Sequence, residues 1–545
     1  MPSRPKQTPE ARIVTSPPAS RADRRGVFVR FLDAVEWLGN LLPHPVTLFA
    51  ALAVAMVLLS GLFGALGVAV EDPRPAGVAG RAEDGMIRAV SLLNADGLRR
   101  IFENLTSNFT GFAPLGVVLV AMLGVGVAER SGLLSAAVRG LVLGAPRTLV
   151  TAAIVFAGVI SNTASELGYV VLIPLAGAIY HALGRHPLAG MAAAFAGVSG
   201  GYSANLLIGT IDPLLAGITE AAAQLIDPDY SVAATANWYF MAASTLLVTV
   251  VCVAVSVLVV EPKLGAYDEQ GADPAVLDRR MMDPLTATEK RGLLAAGLAA
   301  IGVFAVMALT LLPSWGLLRN PETGDALRNA PFFRGFVTWI LVFFVVVGFA
   351  YGRVVGTMRR DRDVIDAMAS AISTLGLYIV MVFFAAQFVA FFGWSNLGAI
   401  TAVAGAEFLK DTGLTGPGLF AAFILVCCVV NLMIGSASAQ WAVTAPIFVP
   451  MLMLIGYSPE VIQAAYRIGD STTNIVTPMM TYFGLILAWG CRYDRNLGVG
   501  TMIAMMLPYS IALIVCWSIF FFLWVFGLGL PVGPGSPTFY ETPLG

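Results

Sequence analysis

Long runs of apolar residues constrain this chain more than any other feature. Several runs reach the roughly 20 residues that an α-helix needs to cross about 30 Å of hydrocarbon, and the first covers about 44–70. Hydrophobic residues make up 57% of the 545-residue chain and charged residues 12%. The sequence therefore predicts an all-α integral membrane protein. Its net charge of −2 argues against a nucleic-acid partner.

The spacing of the apolar runs predicts about nine transmembrane helices and two re-entrant helical hairpins. The spans are expected at 44–70, 113–129, 188–211, 237–260, 291–312, 333–352, 365–392, 459–489 and 497–527. Segments 147–183 and 416–456 carry polar turns, and such non-helical backbone must be buried in protein or face water. We expect 133–144 and 395–410 to lie along the interface. The 71–112 segment is compatible with a surface domain or a lid.

Basic residues predict the orientation. Residues 1–30 contain seven Arg or Lys, which favours a disordered cytoplasmic N-terminus. The tail at 531–545 has neither residue type, so we expect it in the periplasm. The transporter domain would then span 31–530. Five cysteines lie in or beside apolar runs without metal-ligand spacing, which favours packed side chains and no cofactor.

The chain contains an internal repeat with an offset of 272 residues. The matched pairs are Pro174 and Pro446, Gly184 and Gly456, Pro187 and Pro459, Gly197 and Gly469, and Ser199 and Ser471. The repeats would cover about 113–226 and 395–490, and the remaining helices would form the scaffold and the dimer interface. Transporters built from repeated halves bind their substrate near the bilayer midplane, where broken helices meet. An inverted second repeat is expected here.

Charged residues in the second repeat indicate the functional site. Arg467 and Asp470 lie within apolar surroundings, where each charge costs roughly 2.5–3.5 kcal/mol, so they should face a cavity or each other. Their spacing places them on one helix face. One interpretation is a structural ion pair. In the other, Arg467 binds an anionic substrate group and Asp470 holds the arginine or carries the coupling cation.

The two hairpin tips supply further candidates. The first tip, SNTASE at 161–166, contains Asn162 and Glu166, and the second, GSAS at 435–438, contains Ser436 and Ser438. Each precedes an apolar helix whose N-terminus offers free N–H groups to a carboxylate. The alternative is that these side chains only satisfy the hairpin backbone. Trp441 is expected either to stack on an aromatic ligand or to fill the hairpin.

Oxygen-bearing residues suggest where the coupling ion binds. The run from Ser471 through Thr473 and Asn474 lacks good helix formers before Pro478, so its carbonyls are expected to be free for Na⁺. Asn205, Asp470 and Asn474 are therefore the predicted sodium ligands. Asp212 would relay a proton or cap the helix that begins near Pro213. The choice between H⁺ and Na⁺ stays open.

An enzyme hypothesis rests on Ser199 within the motif GVSG at 197–200, which is typical of an intramembrane serine protease. Such a serine needs a histidine at equal depth on another helix. The chain has only His44, His181 and His186, all near helix ends. It also lacks a nucleotide-binding P-loop. These features favour a protein that is no enzyme and uses an ion gradient.

At its polar motifs the chain resembles the p-aminobenzoyl-glutamate transporter (AbgT) family of bacterial inner-membrane proteins. The resemblance rests on SNTASE at 161–166, GSASAQW at 435–441 and AYRIGDSTTN at 465–474. It implies a homodimer with nine spanning helices and two hairpins per protomer. It also implies cation-coupled transport of folate-breakdown products or export of sulfonamide-type antimetabolites. The functional positions that it implies are Asp212, Asn431, Ser438, Trp441, Pro459, Arg467, Asp470 and Pro478.

We therefore predict a secondary transporter that works by alternating access, with the hairpin core moving against the scaffold. Its substrate would be a small aromatic anion. A symporter for dicarboxylates or other organic anions, with similar hairpins, is the main alternative. The direction of transport is not readable from the residues.

Overall fold

The computed structural model describes residues 45–73, 81–164, 168–267, 284–326, 330–478 and 480–540. The predicted N-terminus 1–30 lies outside this part of the chain, as do residues 541–545 of the predicted 531–545 tail and Glu166. In chain order, the first helices are α1 Pro45–Ala65, α2 Ala95–Thr110, α3 Ala113–Ser131, α4 Leu133–Leu143, α5 Val150–Ser161, α6 Ile173–Ala182, α7 Pro187–Phe195, α8 Ile211–Ala223, α9 Trp238–Val255 and α10 Glu261–Leu264. The remaining helices are α11 Ala287–Leu311, α12 Pro331–Arg334, α13 Phe336–Val355, α14 Asp361–Thr374, α15 Gly376–Trp394, α16 Leu397–Asp411, α17 Leu419–Met433, α18 Ala437–Met453, α19 Pro459–Asn474, α20 Phe483–Gly490 and α21 Val499–Phe522.

Long apolar helices dominate the described residues, which makes this a multi-pass membrane protein. Within the described ranges, seven helices are long and apolar enough to cross a membrane: Val46–Ala65, Ala95–Ser131, Trp238–Leu264, Ala287–Leu311, Phe336–Val355, Gly376–Trp394 and Val499–Gly527. An eighth span is obtained if Leu133–Leu143 and Arg147–Ser161, which meet at 112°, are taken together.

Several predicted spans differ from the observed helices. The 188–211 span consists of α7 and the π-helix Ala196–Gly200, followed by irregular backbone. The 459–489 span is divided into α19 and α20 by an irregular stretch that contains Pro478. These breaks occur because proline and consecutive glycines interrupt the helical hydrogen-bond ladder. The 365–392 span likewise comprises α14 and α15, which are separated at Leu375.

The 71–112 segment begins with a small β-hairpin, an addition to the predicted all-α fold. Strands β1, Ala69–Glu71, and β2, Met86–Arg88, pair antiparallel. They are followed by the helix α2, whose N-cap Asn94 accepts a hydrogen bond from the N–H of Gly97. The hydrogen bond from Val90 N–H to the carbonyl of Ser395 ties this region to the scaffold.

The two hairpins enter the protein from opposite ends of the helix Trp238–Leu264, which is about 40 Å long at 1.5 Å per residue. The base of the first hairpin lies at the C-terminal end of this helix, because Arg185 forms an ion pair with Glu261 at 2.5 Å. The base of the second lies at its N-terminal end. There the C-terminal tail accepts two backbone hydrogen bonds. The Ser458 N–H donates to the Thr538 carbonyl at 3.2 Å, and the Phe240 N–H donates to the Val532 carbonyl at 3.0 Å.

Positions matched by the 272-residue offset occupy equivalent places in the structure. Gly184 and Gly456 both adopt positive φ angles, +71° and +106°. Pro187 and Pro459 each begin a helix, after His186 and Ser458, whose side chains accept a backbone hydrogen bond. Opposite entry of the two hairpins and these shared turns are the geometry that an inverted repeat requires.

The repeat glycines also make equivalent close contacts. A Cβ on Gly197 would lie 2.5 Å from the carbonyl of Val155, in the first arm of hairpin one. A Cβ on Gly469 would lie 2.8 Å from the carbonyl of Ile424, in the first arm of hairpin two. In each half, the helix after the hairpin therefore packs directly against backbone, which a larger side chain would prevent.

Candidate functional site

Helix α19 is buried along its whole length and carries a polar face. Ser458 caps its start by accepting a hydrogen bond from the N–H of Val461, and Pro459 occupies the first helical position. The polar face is formed by residues three or four positions apart, which align on one side of a helix. They are Glu460, Gln463, Arg467, Asp470 and Asn474. A buried helix with such a face forms a polar seam through an apolar protein.

The helix extends further than its composition predicts. We expected free carbonyls in the run 471–474, but α19 continues to Asn474. The hydroxyls of Thr472 and Thr473 donate to the carbonyls of Ile468 and Gly469, at 2.7 and 2.8 Å. Within the predicted sodium-binding run, the Thr473 carbonyl accepts the Thr477 hydroxyl at 2.7 Å and the Val476 N–H at 3.1 Å, so it is already occupied, and burial outweighs the weak helix propensity of threonine. The break begins only at Ile475.

Arg467 forms an ion pair with Asp212. Its Nη1 lies 2.5 Å from the Asp212 Oδ1, and the two side chains are 1% and 10% exposed. Asp212 sits in the first turn of α8, where its Oδ2 accepts a hydrogen bond from the N–H of Gly209 at 2.7 Å. The N-cap of α8 is Thr210, so Asp212 is not the predicted cap; it bonds the backbone that precedes the helix and forms the ion pair. The predicted partner, Asp470, makes no ion pair with Arg467 within 4 Å in the described chain.

Asp470 is fully buried, and neither carboxylate oxygen has a hydrogen-bond partner among the described residues. The side-chain amide nitrogen of the neighbouring Asn431 donates to the backbone carbonyl of Asp470 at 2.7 Å. It also donates to Thr473 Oγ1 and Asn474 Oδ1, both at 2.9 Å. The Asn431 Oδ1 likewise lacks a partner within the described ranges. Buried unpaired oxygens are rare and costly. They fit a proton or a hard cation such as Na⁺.

The remaining predicted sodium ligand, Asn205, lies in the irregular stretch that follows α7. Its amide group is 3.2 Å from the Thr163 Oγ1 at the first hairpin tip. The neighbouring Ser203 N–H donates to Ser471 Oγ at 3.1 Å. The irregular stretch after α7 in the first half is therefore in direct contact with α19 of the second half, at the residue that follows Asp470.

A cavity of about 170 Å³, which we call the hairpin-tip cavity, lies between the second hairpin tip and the arm that follows the first tip. Its lining includes Ser436 and Ser438 from the second tip, Asn474 from α19, and Tyr169 and Tyr482. Those two tyrosine rings stack at 4.7 Å between centroids. The hydroxyls at the start of α18 thus face a shared space with the end of the polar seam.

Asn162 binds backbone in this structure. Its amide nitrogen donates to the carbonyl of Val198 at 2.8 Å and to that of Val159 at 3.2 Å. Both carbonyls belong to the packed region around the first hairpin. In this structure Asn162 therefore satisfies backbone groups around the first hairpin.

Trp441 is fully buried and stacks on Tyr466, with 4.2 Å between ring centroids and an angle of 22°. Its Nε1–H donates to Thr219 Oγ1 at 2.8 Å, and that hydroxyl lies 2.6 Å from Gln463 Oε1. One face of the indole is thus covered by protein, which matches the hairpin-filling interpretation in this conformation.

Sequence reasoning missed Thr219, Gln463 and Tyr466. Two of them carried a usable signal: Gln463 lies four residues before Arg467, and Thr219 lies seven after Asp212. Both spacings place the missed residue on the same helix face as a predicted one.

Comparison with known proteins agrees with this geometry. The AbgT transporter family matches residues 30–540. The chain belongs to the AbgT family. Its resemblance at the polar motifs is thereby confirmed over nearly the whole chain.

Three AbgT relatives show how far the similarity extends. The p-aminobenzoyl-glutamate transport protein of Escherichia coli is 36% identical over 502 residues, which cover 92% of this chain and 95% of that protein. The structure of Neisseria gonorrhoeae MtrF, which represents a class of antimetabolite efflux pumps, is 58% identical with a TM-score of 0.87. The match covers 93% of this chain and 100% of the MtrF chain. The YdaH transporter of Alcanivorax borkumensis is 46% identical with a TM-score of 0.82, at 90% and 100% coverage.

Proposed function

We propose that this protein is a cation-coupled secondary transporter whose central site is the buried Arg467–Asp212 pair with the neighbouring Asp470. One observation carries the proposal: a fully buried carboxylate with no hydrogen-bond partner in the described chain lies on the same helix face as a buried ion pair. Ionisable groups at this depth are costly unless they bind substrate or ions. Both H⁺ and Na⁺ suit the oxygens of Asp470 and Asn431.

The substrates proposed are p-aminobenzoyl-glutamate-like folate catabolites and sulfonamide-type antimetabolites. Two relatives support these classes: the Escherichia coli protein is a p-aminobenzoyl-glutamate transport protein, and Neisseria MtrF represents a class of antimetabolite efflux pumps. The Arg467 guanidinium is a planar fork that matches a carboxylate. A substrate carboxylate that competes with Asp212 for this fork would release the aspartate, which links binding to movement of α8 against α19.

Opposed hairpins support alternating access as the mechanism. Their bases lie at opposite ends of Trp238–Leu264, and polar residues of the second tip line the hairpin-tip cavity. Motion of either hairpin would open the seam toward one side of the membrane only. The same machine serves import or export, and the gradients set the direction.

The setting that we propose is the bacterial inner membrane, with the N-terminus in the cytoplasm, the C-terminal tail in the periplasm and a homodimer as the assembly. The seven basic residues in 1–30 and the absence of Lys and Arg from 531–545 predict this orientation. We also propose that the protein has no enzyme activity. The Ser199 hydroxyl lies 3.2 Å from the Met480 sulfur, which is not a general base. Ser199→Ala should therefore leave transport intact.

The deciding experiment uses proteoliposomes with Na⁺ and H⁺ gradients imposed separately. We expect labelled p-aminobenzoyl-glutamate to move only with the coupling gradient, and Arg467→Ala to abolish that flux. Arg353→Ala, at an exposed arginine of α13, serves as the matched control and should transport normally. Flux that ignores both gradients, or that persists in the Arg467 variant, would contradict the proposal. Competition by dicarboxylates without aromatic rings would favour the organic-anion alternative.

A further inference from the structure

A larger cavity lies under the C-terminal tail, on the side of α19 away from the hairpin tips. It measures about 350 Å³, and we call it the tail-side cavity; Pro213, Glu220, Arg334, Glu460 and Ser536 are part of its lining. Cavities of this size hold small organic ligands. Its lining contains none of the central residues Arg467, Asp212 and Asp470.

Both signs of charge face the tail-side cavity. Glu460 is 6% exposed, and its Oε2 accepts a hydrogen bond from the Tyr230 hydroxyl at 2.9 Å. Glu220 is half-buried, and its Oε2 accepts the Val232 N–H at 2.8 Å. Arg334 is exposed and has no ion pair within 4 Å in the described chain. The carboxylates lie at the buried part of the cavity, and the free guanidinium lies at its exposed part.

The wall between these charges is apolar and built mainly from small side chains. Ala216, Gly217 and Val232 leave a smooth surface, and Phe333 supplies an aromatic ring. Such a wall accommodates a flat ring, because flat rings pack well on small apolar side chains and against another aromatic group. The arrangement combines an acceptor end, an aromatic middle and a cationic end.

We propose that the tail-side cavity is a second substrate site, which binds an aromatic amine that bears an anionic group on the opposite side of its ring. The amine N–H groups would donate to Glu460 and Glu220, and the anionic group would face Arg334. This inference rests on the proposed function, since p-aminobenzoyl compounds and sulfonamides share the aromatic amine. It adds a place where substrate binds before or after the central site.

The tail-side cavity lies next to the central ion pair, behind the first turn of α8. Pro213 belongs to its lining, and the preceding residue, Asp212, contacts Arg467 at 2.5 Å. Glu460 lies on the same α19 face as Arg467, two helical turns away. A ligand in the tail-side cavity is therefore separated from the central site by the first turn of α8, and movement of that turn would join the two.

The test measures equilibrium binding of p-aminobenzoate, without any gradient, to detergent-purified full-length protein. The background variant, Arg467→Met with Asp212→Asn, removes both charges of the central ion pair, so that neither partner is left as a buried charge without the other. In this background we compare Glu460→Gln, Glu220→Gln and Arg334→Gln with the control Arg353→Gln. Benzoate and aniline are the matched probes that lack the amine and the acid. Elution profile and melting temperature establish that each variant is folded.

We expect the background variant to bind one p-aminobenzoate per chain. Each of the three cavity substitutions should reduce that affinity roughly 10- to 100-fold, because it removes a charged hydrogen-bonding group. The Arg353 control should bind normally. Benzoate should be weaker than p-aminobenzoate and insensitive to Glu460→Gln, whereas aniline should be insensitive to Arg334→Gln. The inference is overturned if the background variant binds nothing, if all three cavity variants bind normally, or if phenylalanine binds equally well. Because this binding measurement uses no gradient, its outcome does not depend on whether the protein shows cation-coupled transport.

Discussion

Neutralising the Arg467–Asp212 pair one residue at a time should be far more harmful than neutralising both. At 2.5 Å and an effective dielectric constant of about 20, two unit charges attract by roughly 6–7 kcal/mol. Removing both charges from water costs several kcal/mol per ion, so the net contribution of the pair is small. A single substitution, however, leaves one buried charge without a partner.

We therefore expect Arg467→Met and Asp212→Asn each to destabilise the protein by about 3–5 kcal/mol. The double variant should recover most of that loss, which gives a coupling energy of similar size. Transport should remain absent in the double variant, because the guanidinium that binds the substrate is gone. Stability and function would thereby separate within one mutant cycle.

Unfolding can be followed with a thiol-reactive fluorescent dye, because Cys252, Cys427 and Cys428 are free and buried. The matched control is the partly buried ion pair between Arg139 and Glu289, which lies far from Arg467 and Asp212 in the sequence. Arg139→Met and a neutral substitution of Glu289 are compared singly and together in the same way. Its single variants should cost less, since solvent screens its charges. Additive losses at Arg467 and Asp212 would refute the ion-pair reasoning. A double variant that transports normally would refute the substrate role.

Three further outcomes test the packing around the site. Gly469→Ala should destabilise by about 1–3 kcal/mol, because its Cβ would lie 2.8 Å from the Ile424 carbonyl. Thr219→Val should cost about 1–3 kcal/mol in dye-monitored melting, because it leaves the buried Trp441 indole N–H without its acceptor. Burial lowers the pKa of His186 in the folded protein. The neutral imidazole therefore contributes fully to stability above about pH 6.5, and this contribution is lost as the pH falls below that value. His186→Asn should make the melting temperature depend less on pH on the acid side.

Each of these outcomes has its own control. Gly484→Ala should be harmless, because a Cβ there meets no atom within 4 Å in the described chain. Thr219→Ser keeps the hydroxyl and should melt like the parent. Equal stability of Gly469→Ala and Gly484→Ala, equal loss in both Thr219 variants, or an unchanged acid limb in His186→Asn would contradict the respective argument.

The sequence alone established the membrane class, both hairpins, the repeat offset and the polar stretch around Arg467 and Asp470. Each of these rests on local information: apolar length, turn residues and matched spacing. Local signals also explain the errors. The break in 459–489 was placed too early, because threonine propensity was weighed without the i−4 hydrogen bonds that burial favours.

Tertiary structure decided which charges meet. Helical spacing joined Arg467 to Asp470, whereas packing of α8 against α19 joined it to Asp212 and left the Asp470 oxygens without a partner among the described residues. The tail-side cavity likewise combines α8, α12, α19 and the C-terminal tail, and no single stretch of sequence carries its signature. Periodicity reports the neighbours of a residue on its own helix. Contacts between helices far apart in the chain depend on how the whole protein packs.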